Sequence, residues 1–195
     1  MANKLSFRVH RVTCIDETGG KYLEKIGNDE IYLAGFAVNE AGGTVDISPF
    51  SVYPHFDDGD VKVYNPPKTF YTFSVTNSGV WPKRFGIGLV LVEKDAGNLL
   101  KSTSKIINAS KAYIKNNYSG VIGPNPPLPP RFPRIPSLTK LIASLKYDIF
   151  YPQLAIIDIP AADFRWSGSN CSIEKTVNFQ EYGGHYALVY DWMLT

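Results

Sequence analysis

The chain has almost no cysteine, no long apolar run and one extended stretch without a single acidic residue. Cys14 and Cys171 are its only cysteines. Two thiols make no disulfide framework, so the fold must rest on an apolar core, and both thiols are expected to be free and buried. No run of about 18 apolar residues occurs, which excludes a spanning helix. The opening residues, MANKLSFRVHRV, lack the apolar segment of a secretory signal and already read as a strand. The chain is therefore expected to be cytoplasmic as synthesised, with export only by a signal-less route. His10, His55 and His185 are far apart, and none has a partner at metal-ligand spacing. No P-loop, dinucleotide fingerprint or G-x-S-x-G elbow is present, so no small-molecule cofactor is implied. Cys14 lies within a strand pattern with no adjacent His or basic helix end to activate it.

The acid-free stretch is residues 96–147. It carries eight basic residues: Lys101, Lys105, Lys111, Lys115, Arg131, Arg134, Lys140 and Lys146. The rest of the chain holds twelve Lys and Arg against all 18 Asp and Glu. The overall charge of +2 thus hides an acidic body and a strongly basic segment. Such an asymmetry points to contact with something anionic.

The 195 residues suit one domain, 1–195, with a basic helical and Pro-rich insertion at 96–148. Twelve Tyr, eleven Phe and three Trp favour strands. In LSFRVHRVTC (5–14), Leu5, Phe7 and Val9 recur at period two. IYLAGFAV (31–38) and FGIGLVLVE (85–93) are apolar on both faces. TVDISPFSVY (44–53) is a broken strand, and residues 61–75 make one bent strand or two short ones. IFYPQLAIID (149–158) is interrupted by Pro152. CSIEKTVNF (171–179) and YALVYDWML (186–194) flank QEYGGH as a closing hairpin. The expected fold is a mainly β, antiparallel sandwich of about eight strands.

Inside the insertion the period changes. From Asn98 to Tyr118, Leu99, Leu100, Ile106, Ile107, Tyr113 and Ile114 share one helical face, and Lys101, Lys105, Lys111 and Lys115 the opposite one. The segment VIGPNPPLPPRFPRIP that follows holds seven of the fourteen prolines and is expected to be extended. Ser137 suits the N-cap of a second helix, whose apolar stripe is Leu138, Leu141, Ile142, Leu145 and Ile149.

Antiparallel strands send successive loops to alternate ends of a sandwich. If 61–75 is one strand, Asp16, Glu17, Asp29, Glu30, Asp57, Asp58, Asp60, Glu93 and Asp95 gather at one end, from which the basic insertion also leaves. Clustered carboxylates on loops are what calcium requires, with its six to eight oxygen ligands. Solvated turns are also rich in Asp and Glu.

The runs DETGG…GNDEIYL and FGIGLVLVEKDAG resemble loops of the C2 domain family. The resemblance implies a β-sandwich and makes Asp16, Asp29, Glu93 and Asp95 calcium-ligand candidates; loop parity adds Glu17, Glu30, Asp58 and Asp60. The chain departs from the family where Asn-Asp-Glu-Ile-Tyr replaces Ser-Asp-Pro-Tyr, and where Glu93 stands for an Asp. The closing YALVYDWML also looks like bacterial proteins of unknown role.

The leading expectation is a non-catalytic, C2-like binding module. Its acidic end is a candidate calcium site, and Lys101, Lys105, Lys111, Lys115, Arg131 and Arg134 would meet an anionic membrane surface or acidic partner; the other reading of the insertion is that both helices dock their apolar stripes on the sandwich and leave the lysines solvated. The alternatives are a self-assembling or pore-forming, toxin-type protein and a hydrolase with a loop-end site. Nucleic acid is disfavoured, because the body is acidic and no reader module is recognisable.

Overall fold

A computed structural model describes residues 3–18, 29–76, 79–94, 99–118, 132–145, 148–167 and 169–195. In chain order these form β1 (Lys4–Asp16), β2 (Asp29–Val38), β3 (Thr44–Phe56), β4 (Val61–Ser74), β5 (Lys83–Glu93), α1 (Leu99–Tyr118), α2 (Pro136–Ala143), β6 (Asp148–Ile149), β7 (Gln153–Ile159), β8 (Lys175–Glu181) and β9 (Gly184–Leu194). The strands pair antiparallel into two sheets. One has the order β4-β1-β9-β8; the other has the order β3-β2-β5-β6, with β7 also on β5. The expected sandwich is present.

A third layer lies on top of it. In β5, Phe85, Ile87, Leu89 and Leu91 enter the core between the sheets, while Val90 and Val92 point the other way, into a second core with Ile106, Ile107 and Ile114 of α1. β2 does the same, with Ile31 and Leu33 inward and Ala34 and Phe36 under the helix. This explains two strands apolar on both faces: one face meets the opposite sheet and the other is roofed by the insertion. α1 spans about 30 Å at 1.5 Å per residue, close to the length of the strands it covers. Gly88 makes room for the ring of Phe36, its partner on β2, beneath the roof. A Cβ there would stand 2.2 Å from the Phe36 ring.

β1 keeps its core face only by breaking its own alternation. Leu5, Phe7 and Val9 are buried as expected, and so are Val12 and Cys14, three and five residues past Val9. The pairing with β4 and β9 shifts between Val9 and Arg11, so one extra residue returns the strand to the same face. β4 is a single strand whose register with β1 breaks across Asn65-Pro66-Pro67, between the pairs Val9–Lys68 and Arg11–Val63.

Several boundaries differ from the sequence expectation. The 149–158 run is two strands separated at Pro152. β8 starts at Lys175, because Cys171 forms an isolated bridge to Met193 and Ser172 donates its N–H to Trp192 O at 2.8 Å. Ser137 is not the N-cap of α2. Ile135 holds that place in extended backbone and Pro136 opens the first turn, where its fixed φ suits a helix start and its missing N–H costs nothing. Ile149 belongs to β6, paired with Val92, rather than to the stripe of α2. Leu100 is 62% exposed in the first turn of α1, although its spacing puts it on the apolar face.

Candidate functional site

The acidic end assembles largely as loop parity requires. The turn between β3 and β4 meets the end of β1: Cys14 N–H donates to Asp60 O at 2.9 Å and Glu17 N–H to Asp58 Oδ1 at 2.7 Å. At the end of β5, Lys94 N–H donates to Glu30 O at 2.9 Å. Burial and the neighbouring Asp29, Asp57, Asp58 and Asp16 push the Glu17 carboxyl above its ordinary range. Burial first, then the fields of Asp29, Asp58 and Glu17, push the Cys14 thiol up to about 12. Cys14 is thus a buried, inert thiol, while Cys171 is free but only half-buried.

The candidates separate into two sets with different roles. Asp57, Asp58 and Asp60 are on the surface, and their carboxylates cap backbone: Asp57 Oδ1 accepts Asp58 N–H at 2.8 Å and Asp60 Oδ2 accepts Asp57 N–H at 3.1 Å. These are turn contacts. Asp16 is exposed at the end of β1, and Glu30 lies 3.3 Å from the Lys94 ammonium. Asp29 and Glu93, in contrast, are 3% and 6% exposed. Between them sits Thr18, whose hydroxyl is 2.6 Å from Glu93 Oε2 and 3.1 Å from both Asp29 oxygens. A hydroxyl has one proton, so it donates to one carboxylate at a time. Asp29 also accepts the Thr18 N–H at 2.9 Å and the Tyr186 hydroxyl proton. Burial and that hydrogen bond drive the Tyr186 phenol strongly upward, so it stays a donor. Asp148, also buried, pairs with Glu93 in register.

Among the described residues, no three His, Cys, Asp or Glu side chains converge as metal ligands. Asp95 lies outside the described residues. Thr18, Tyr186 and Asp148 were missed by sequence reasoning: a threonine in a polar loop, a tyrosine in apolar alternation and a lone Asp before an apolar run give no warning that they meet.

The basic candidates also divide. Lys101, Lys105 and Lys115 are exposed on the outer face of α1. Lys111 is half-buried and pairs with Asp46 of β3, and Arg134 pairs with Glu181 of β8. Part of the insertion's positive charge is therefore matched by the acidic body itself. Arg131 lies outside the described residues. No helix among the described residues is long and apolar enough to cross a membrane.

His10 stands on β1 between Glu174 and Asp191, 3.2 Å from each, beside Arg8, whose Nε donates to Asp191 at 2.9 Å. Arg11 adds a second guanidinium 3.2 Å from Glu174. Two carboxylates facing two guanidinium groups, with the imidazole between them, form an ion-pair network, and Arg8 Nη2 also donates to the Cys171 sulfur at 3.2 Å.

Comparison with known proteins found no matching family model, no matching curated protein and no matching solved structure.

Proposed function

We propose that the protein is a non-catalytic β-sandwich binding module that contacts an anionic membrane surface through the outer face of α1. The observation that carries this reading is the burial of the helix's other face. With Ile106, Ile107 and Ile114 committed to the sandwich, Lys101, Lys105 and Lys115 point away from it on a rigid support. A docked helix has no apolar face to insert, so the contact is electrostatic. Each basic side chain near such a surface contributes about 1 kcal/mol, and three give a weak, reversible attachment. The test is co-sedimentation of the full chain with vesicles of neutral lipid and of neutral lipid mixed with phosphatidylserine. Binding only to the anionic vesicles, lost in high salt as screening shortens the field, supports the reading. Equal binding to neutral vesicles refutes it.

A second reading, calcium at the acidic end, is favoured by the two buried carboxylates of Asp29 and Glu93 that share one Thr18 hydroxyl. A bound divalent cation would relieve their repulsion and the field acting on Glu17, and would lower the negative charge of the body beside the basic helix. Thermal unfolding with calcium, magnesium or chelator tests it. A calcium-specific rise in Tm supports the site, since a ligand of the folded state alone raises stability. Identical melting curves reject it.

A further inference from the structure

At the side of the sandwich where β7 and β8 are the outer strands, a groove of about 520 Å³ opens between the two sheets. Its volume falls in the range of about 300–1,000 Å³ typical of small-ligand sites. One wall is the hairpin of β8 and β9, with Thr176, Asn178, Gln180 and His185. The other is Gln153 of β7 with Tyr151 and the chain before α2.

The polar groups of this groove are held in place. The His185 ring joins two amides that stand two residues apart on β8: its Nε2 is 3.3 Å from Asn178 Oδ1 and its Nδ1 is 3.3 Å from Gln180 Nε2. Gln153 Nε2 donates to Tyr151 O at 3.1 Å. The Tyr151 hydroxyl accepts the Ile135 N–H and donates to Pro133 O at 2.9 Å, which pins the segment forming the far wall. Arg134 lies over the Tyr151 ring, 5.3 Å from its centroid, and is paired with Glu181.

The chemistry of the lining selects a ligand class. Among the described lining residues, Arg134 and Glu181 are the charged ones, and they neutralise each other. A phosphate or carboxylate would find no uncommitted cation. A purely apolar ligand would desolvate three amides and an imidazole without replacing their hydrogen bonds with water. Amide, imidazole and hydroxyl groups together offer both donors and acceptors at close spacing. Sugar hydroxyls, which each donate and accept, match that mixture, and Phe132, Leu154 and Tyr190 offer apolar surface to the C–H face of a ring. We infer that the groove binds a neutral saccharide, with Asn178, Gln180, His185 and Gln153 contacting its hydroxyl groups. The inference is independent of the anionic-surface reading, which concerns a different face.

The test begins with the labelled full chain on an array of neutral and acidic glycans, followed by calorimetric titration of a retained neutral oligosaccharide. Asn178 and Gln180 are exposed, so an Asn178→Ala/Gln180→Ala variant should keep the wild-type melting temperature. It is expected to bind at least about tenfold more weakly, the loss of one to two hydrogen bonds. Gln153→Ala, on the opposite wall and the other sheet, should weaken binding in the same direction, which separates a lost contact from a disturbed hairpin. The inference is overturned if no neutral glycan is retained, if only acidic glycans are retained, or if the variants bind as the wild type does.

Discussion

Ile106→Ala tests whether α1 is a roof of the sandwich or an arm that merely lies near it. Ile106 is fully buried against Ala34, Phe36, Val90 and Val92. The substitution removes three carbon groups, worth about 0.8 kcal/mol each on transfer from water. A residual cavity of roughly 50 Å³ adds about 1 kcal/mol at about 24 cal/mol per Å³. The expected loss is about 3.5 kcal/mol, inside the range of about 2–5 kcal/mol for such core truncations. For a chain of this size it corresponds to a Tm lower by about 10 °C. Guanidinium unfolding followed by circular dichroism measures the loss, and Leu100→Ala is the control. Leu100 has the same helical phase as Ile107 but is 62% exposed, so its truncation should change stability by less than about 0.5 kcal/mol. A loss below about 1 kcal/mol for Ile106→Ala, or equal losses for the two variants, would show that α1 does not dock. An undocked α1 would restore the pore-forming and membrane-inserting alternatives.

Three further perturbations probe the layers and the acidic end. Gly88→Ala should destabilise the fold by about 2–3 kcal/mol, because the new methyl would stand 2.2 Å from the Phe36 ring in a closely packed layer; a neutral effect in thermal melts would contradict that packing. Thr18→Val keeps the side-chain shape but removes the proton donated between Glu93 and Asp29, with an expected cost of about 2 kcal/mol in chemical denaturation. Glu17 has its carboxyl pKa raised in the folded state, so its stabilising contribution is complete below the unfolded value and is lost as pH rises through the folded one. Glu17→Gln should therefore be slightly more stable than wild type near pH 7, by a margin that solvent screening of this partly exposed carboxylate keeps small, with the difference shrinking as pH falls; a gain confined to acid would reverse the sign of the argument.

The strands were readable because their alternation is driven by burial. Even the third layer was implied once two observations are joined. IYLAGFAV and FGIGLVLV are too apolar to face water on either side, and the 98–118 helix carries a stripe that needs a surface. What sequence spacing does not contain is the local break in period. The extra residue near His10 puts Val12 and Cys14 back on the core side, and helical phase alone cannot tell buried Ile107 from exposed Leu100. The acidic end was legible as a place, because strand parity depends only on the number of reversals. Its division into turn-capping aspartates and a buried Asp29–Glu93 pair was not, since that depends on Thr18 and Tyr186, which arrive from distant positions. The cross-pairing of Lys111 with Asp46 and of Arg134 with Glu181 was equally hidden: charge counting finds the asymmetry but not which charges the body already satisfies.

The most direct measurement is a vesicle-binding isotherm of Lys101→Gln/Lys105→Gln/Lys115→Gln beside the wild type, on phosphatidylserine-containing vesicles at several salt concentrations. Loss of three exposed charges at about 1 kcal/mol each should weaken binding by roughly a hundredfold and flatten its salt dependence, with the melting temperature unchanged. Unaltered binding by the triple variant, with the same salt dependence as the wild type, would contradict the assignment of α1 as the contact surface.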